Sequence, residues 1–497
     1  MRTDHQIAFL LRELAATDPE RRAAAVKGLG KAGGAAYVRV FTDAADDPAP
    51  SVRAAAALAL GRLGIPNAGS EVLPPLMDDE DPAVRRRASV AATRLGIRGQ
   101  AVTRAFARLL SDPDHHLRIN ALEGLAALGE PGDATALAGL LGDPDSAVWG
   151  RARALVYRCK DDAAVRTEVI RTARQGKGAA RARALDWLPE RCTEQLLDSL
   201  LTGLGDPSPE VRIAVARRLF DLARPQTQDE LAAALRTERD PEVAAPLLRG
   251  LGRLGDERVT GPAVRWLRDP EAGASAARAL GGADTGTAAA HLRTALTDET
   301  FPARTRAAAA RAVGAGARWD AVWLLLSVLD DPDDEIRAGV IQGLEALVEN
   351  GLRLWERHPV AWALVEQLEA GGEHTWRTRN ALDGLTQALP AVRRLADEAP
   401  SAEVRAAALS LLAGDDESDE HTRHDVLRFL RGLDDPYEAV RYEAVLGLER
   451  RVTATGSLPP GSEEAHSRLT ALTADASPRL RQAATRVLEA LGTGPRA

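Results

Sequence analysis

A chain of 497 residues would ordinarily divide into several globular cores, but only 4% of it is aromatic. Alanine, leucine, valine and arginine dominate, a helix-forming composition that argues against a β-rich fold and for an all-α one. The formal charge of -8 and isoelectric point near 5.7 exclude a protein that coats nucleic acid along its length, since that needs a basic excess; a local basic site stays open.

Ile7, Leu10, Leu11 and Leu14 predict an amphipathic helix at the N-terminus, interrupted by charges as no signal peptide is. No apolar run approaches the ~18 residues of a membrane span, so no membrane partner is expected and a cytoplasmic protein is. Cys159 and Cys192 are the only cysteines. On adjacent repeats they are not expected to reach the ~7 Å limit for a disulfide.

From there onward the chain repeats itself about every 31 residues. Asp-Pro pairs that predict helix starts fall at Asp18, Asp47, Asp81, Asp112, Asp143, Asp206, Asp240, Asp269, Asp331 and Asp435. The clearest unit runs from Leu110 to Gly129. Asp112 is placed to cap a helix, Pro113 suits its first turn, and Leu117, Ala121, Leu122, Leu125 and Leu128 form one apolar stripe before Gly129 stops it. A second apolar-periodic helix precedes most units, as at 101–110 and 134–141, so each unit is a helical hairpin. One hairpin cannot bury its own apolar face. The expected fold is therefore all-α: a right-handed α-solenoid of about fifteen stacked helical hairpins, forming one array over 1–497. Within it, 1–320 holds regular short repeats, 321–400 longer tryptophan-rich ones, 401–491 acidic C-terminal ones, and 492–497 a tail.

The string Asp47-Pro-Ala-Pro-Ser-Val-Arg53, continued to Gly64 and echoed at Asp206-Pro-Ser-Pro-Glu-Val-Arg212, resembles HEAT repeats of the short, phycobilisome-lyase-like type. The resemblance covers nearly the whole chain. It implies the fold but no single function, because such repeats occur in scaffolds, lyase subunits, hydroxylases and DNA glycosylases alike.

An arginine recurs six residues after the capping acid, at Arg53, Arg87, Arg118, Arg212, Arg337, Arg441 and Arg481. In stacked units this row can tie loops together through loop aspartates, or form a basic track for an acidic ligand. Acids recur in the same register, which favours the structural ladder. The ladder breaks where Trp149, Pro246 and Ser275 take the arginine's place. Pro246 predicts a kink or a displaced helix start, and the Gly-rich unit around Ser275 predicts looser packing.

Between the breaks, 149–191 carries eleven basic side chains against five acidic ones, with Trp149, Tyr157 and Trp187 interleaved. Trp149, Arg151, Arg153, Arg181, Arg183 and Trp187 are the candidate partner-binding residues, and a solvated face with tryptophans packed between repeats is the competing account. Trp319, Trp323, Trp355, Trp362 and Trp376 then fall within sixty residues, and their mostly helical spacing predicts a thicker core. One longer helix is expected over 336–355, and loops at 414–422 and 453–462.

His421, His424 and Asp425 fall within one turn but lack a further ligand cluster, so neither metal nor cofactor is expected. HEAT-like hydroxylases hold iron through His-Glu pairs, and this chain contains no His-Glu dipeptide. No phosphate loop or nucleophile elbow is present. The expectation is a non-enzymatic scaffold or adaptor that binds protein partners on its concave face. The alternative is a nucleic-acid-binding solenoid: Asp186-Trp187, with Trp149 and the surrounding arginines, resembles in kind the apparatus of the HEAT-like alkylpurine DNA glycosylases.

Overall fold

The computed structural model describes residues 2–32, 34–65, 68–188, 196–222, 224–414, 419–459 and 464–492. Among these, every regular element is an α-helix or a short 3-10 turn. The expected Cys159–Cys192 separation cannot be followed, because Cys192 lies outside the described residues; Cys159 is a half-buried free thiol. The chain divides into two compact units, Met1–Leu222 and Ala223–Ala497, with the boundary at a point the repeat pattern does not mark.

Each unit is a stack of helical hairpins, and the hairpin Gln100–Leu109 with His115–Leu128 shows how one is made. Val102, Ala105, Phe106 and Leu109 are buried on the leading helix, and Leu117, Ala121, Leu122 and Leu125 on the trailing one. The tip of the Phe106 ring packs against Gly124, where an added Cβ would stand 2.3 Å from it. Gly129 ends the helix in the left-handed region, at φ 75°, as only glycine does without cost.

Asp81 and Asp240 cap their helices as their Asp-Pro pairs predict, but other helix starts differ from expectation. Asp112 does not cap: its carboxylate accepts from the amide of Asp114 at 2.9 Å, and Asp114 is the N-cap. The same two-residue offset makes Asp145 and Asp333 the caps after Asp143 and Asp331. At these three loops the aspartate before the helix makes an Asx turn, and the helix begins two residues later than expected.

Trailing helices of successive hairpins pack directly on one another, from Pro19–Ala32 to Pro50–Leu63, Pro82–Arg94 and His115–Leu128 in the first unit. In the second unit the row Pro241–Arg253, Gly273–Ala283, Ala303–Ala315 and Asp334–Asn350 is packed closest. Here one expectation fails. The Gly-rich unit is not loose: a Cβ on Gly282 would stand 2.1 Å from the Gly252 carbonyl oxygen, so glycine lets backbones touch. The Pro246 helix starts at Pro241, so its start is not displaced, and it continues to Arg253 with the proline buried inside it. The helix expected over 336–355 is two, Asp334–Asn350 and Leu354–Ala370, parted at Gly351 with φ 92°. The loop expected at 414–422 already contains a helix from Asp419, and that expected at 453–462 starts only after Thr455.

Close backbone contact makes small side chains obligatory. Gly314→Ala would put a methyl 2.1 Å from the Gly343 carbonyl oxygen. It should lower unfolding free energy by about 1–3 kcal/mol, read by denaturant titration, although alanine favours helix.

Candidate partner-binding surface

The loops are joined by a repeated arginine clasp. Arg53 donates through Nε and Nη2 to both carboxylate oxygens of Asp79 at 2.6 and 2.9 Å, while its Nη1 donates to the carbonyls of Asp47 and Pro48 in its own loop. Arg118 does the same between its own loop and Asp143. Each aspartate also accepts an amide two residues on, so one carboxylate shapes its loop and receives the neighbouring repeat. The planar fork of arginine suits this three-way bond, as a lysine could not.

Of the other arginines singled out in sequence, Arg441 reaches Asp475 in the next loop. Arg212, Arg337 and Arg481 clasp carbonyls of their own loops. Arg87 is exposed and makes no clasp; Arg85 takes that place, bonded to Asp112 and the Asp79 carbonyl. Counting from Asp81-Pro82 misplaced it, since the clasped loop aspartate is Asp79. Arg22, Arg306 and Arg405 belong to the same series, paired with Asp47, Asp331 and Asp435. The recurring Val-Arg dipeptide marks Arg85 and Arg405, but only the aspartate of the following repeat reveals the bond.

The Arg22 guanidinium holds the Asp47 carboxyl below the usual carboxylate range. At Asp79 burial pulls the other way, yet the Arg53 bond and the Asp81 amide still hold it low. A depressed folded value contributes stability that is present above the unfolded pKa, about 3.9, and disappears as pH falls through the folded value. Wild-type protein should therefore lose stability below about pH 4, and Asp47→Asn should flatten part of that loss in melts taken across the acid range.

At Trp149 the clasp is replaced. The half-buried indole carries Arg183 from the Gly178–Trp187 helix at 4.1 Å from its ring centre and Arg153 at 5.5 Å. Arg183 donates back to the carbonyls of Leu141 and Asp143, supplying from the next repeat the loop bond the missing arginine would have made. Desolvation lowers the Arg183 pKa. Arg181 is itself a rung, 2.6 Å from Asp206, and Arg151 pairs with Glu123. Trp187 is half-buried, and Arg191 lies outside the described residues. Trp149→Arg would set a third guanidinium beside Arg153 and Arg183, and should lower the melting temperature rather than restore a regular repeat.

The tryptophans of 319–376 are not core. Trp319 is 72% exposed, Trp355 67%, Trp362 57%, Trp323 52% and Trp376 39%, with Leu354 beside them at 79%. Trp323 stands on Ala321–Leu326, and Trp355 and Trp362, seven apart, on Leu354–Ala370; these are successive leading helices in contact. The i, i+7 spacing does mark one helix face, but periodicity cannot say whether that face meets core or solvent. Trp362 donates to Glu366 at 2.9 Å, and Arg353 lies 5.6 Å from the Trp355 ring centre. Trp319 borders a cavity of about 220 Å3 floored by Leu280, Leu292 and Leu324. Asp284 and Ala317, in the loops flanking it, hold positive φ of 43° and 45°; among the described residues no other non-glycine does so. Arg318 ties the two loops by donating to the Asp284 carbonyl at 3.1 Å. Asp425 is buried and accepts from Arg393 and Arg428, and the His421 side chain lies outside the description.

A family model described as HEAT repeats matches residues 7–93, 70–156 and 170–247. No curated protein matches by sequence. Among solved structures, importin beta crystallised in polyethylene glycol superposes with a TM-score of 0.60 at 13% identity, over 98% of this chain and 82% of that one. Kap95p, in a structure described as inducing RanGDP switch loops to adopt the GTP-bound conformation, gives 0.55 at 14%, over 98% and 79%. Yeast importin-beta alone gives 0.51 at 14%, over 98% and 78%. At such identities the likeness is one of fold. Stacked hairpins, the recurrent loop-to-loop clasp and the matched repeats together make this chain a HEAT-repeat protein.

Proposed function

We propose that the protein is a non-enzymatic HEAT-repeat scaffold or adaptor, acting in the cytoplasm, that binds protein partners on its concave face and on the tryptophan-bearing helices beside it. The observation that carries the reading is the exposure of the five tryptophans. Solvating so much indole is costly unless it is covered part of the time, and tryptophan is the side chain most enriched among interface anchors. The solved structures whose fold it shares include one described as a Kap95:Nup1 complex, a protein bound to a protein.

The nucleic-acid alternative draws no support from the geometry. Arg151, Arg181 and Arg183 already hold carboxylates or carbonyls, and Arg153 lies over Trp149. A solenoid that used them on DNA would have to open its own loops, so binding at low salt should be absent in a gel shift.

Affinity purification of the tagged chain from its native extract should return a protein partner. Trp323→Ser with Trp362→Ser should weaken that complex at least about thirtyfold, from roughly 2 kcal/mol or more per lost anchor, at an unchanged melting temperature. Full retention of the partner by this double variant would overturn the reading.

A further inference from the structure

Asp114, His115 and His116 open the His115–Leu128 helix, and their donor atoms lie within 4.8 Å of one another. His116 Nδ1 is 3.2 Å and His115 Nδ1 3.8 Å from the same carboxylate oxygen, Asp114 Oδ1. The two imidazole rings stand 3.9 Å apart at their centres, tilted by 38°. Donors bound to one ion at about 2.0–2.1 Å stand roughly 3 to 3.5 Å from each other, so side-chain rotations that move the donors by about 1 Å bring these three to a common centre. The backbone need not move.

The neighbouring repeat adds the outer part of such a site. Asp145 caps the Ser146–Arg158 helix with Oδ1, which accepts from Ala147 and Val148. Its other oxygen, Oδ2, faces His115 Nε2 at 4.0 Å. This separation is beyond a hydrogen bond, and closing it on metal binding would fix the imidazole tautomer and leave Nδ1 as the ligand, the arrangement usual around metal-bound histidine. Arg118, the nearest guanidinium, is clasped to Asp143 and does not compete for Asp145.

We propose that Asp114, His115 and His116 bind a divalent transition-metal ion such as Zn2+ or Ni2+, with Asp145 of the next repeat as the outer-sphere acceptor. Two imidazoles and one carboxylate select such borderline ions over Mg2+ or Ca2+, which prefer oxygen donors throughout. The positive ends of two helix dipoles oppose a cation here, and the two carboxylates offset them. Both histidines are nearly half exposed, so three protein donors leave coordination positions open to water or to a donor group from a bound partner. The ion also bridges adjacent repeats on the loop edge. This site stands apart from the tryptophan surface and does not rest on the proposed function.

The test is calorimetric titration of the full chain with Zn2+ alone, beside thermal melts with and without the ion. Wild type should bind one equivalent with a micromolar dissociation constant and melt higher when loaded. His116→Ala and Asp114→Asn should abolish that binding, and Asp145→Asn should weaken it about 10–100-fold. Asparagine keeps both helix caps, so the metal-free melts of the two Asn variants should match wild type. Absence of micromolar binding by wild type, or equal binding by His116→Ala and Asp114→Asn, would overturn the proposal.

Discussion

Consecutive repeats of this protein are joined by one bond made many times: an arginine fork closed on the aspartate of the next loop. Side chains of Arg118 and Asp143 retain 13% and 5% of their exposure, so the pair is largely withdrawn from water. A half-withdrawn charge is costly without its partner, and each aspartate is also held by an amide of its own loop. The clasp therefore fixes the distance between hairpins as well as linking them. Side chains between the rows can then be small, and glycine and alanine let helix backbones meet, as Gly282 meets Gly252.

Much of this was legible in the sequence, because repetition multiplies weak local signals. Asp-Pro pairs, apolar stripes and terminal glycines pointed to stacked hairpins. What failed shares one cause: a single chain shows which residues recur, not what lies across the gap from them. Arg87 and Arg85 are equally plausible until Asp112 is seen beside one of them. The apolar stripe of Trp355 and Trp362 has helical spacing whether it faces core or solvent. Glycine at 282 suggested looseness, and its consequence was contact, because the neighbour is another glycine.

The breaks in the pattern divide into two kinds. At Trp149 the structure repairs the break, since Arg183 stacks on the indole and restores the bond to the loop carbonyls. Around Trp319 nothing is repaired: the indoles face solvent, and Asp284 and Ala317 hold backbone conformations that cost of order 1–3 kcal/mol each. Unrepaired departures are where binding is to be sought in a repeat protein.

The account depends most directly on the clasp as a true coupling between repeats. A double-mutant cycle on Arg118→Met and Asp143→Asn, read by denaturant unfolding of the full chain, measures it. We predict a coupling energy of at least about 1 kcal/mol, with the double variant more stable than the sum of the single losses implies. Losses that add to within about 0.5 kcal/mol would show two side chains that merely lie close, and would contradict the account.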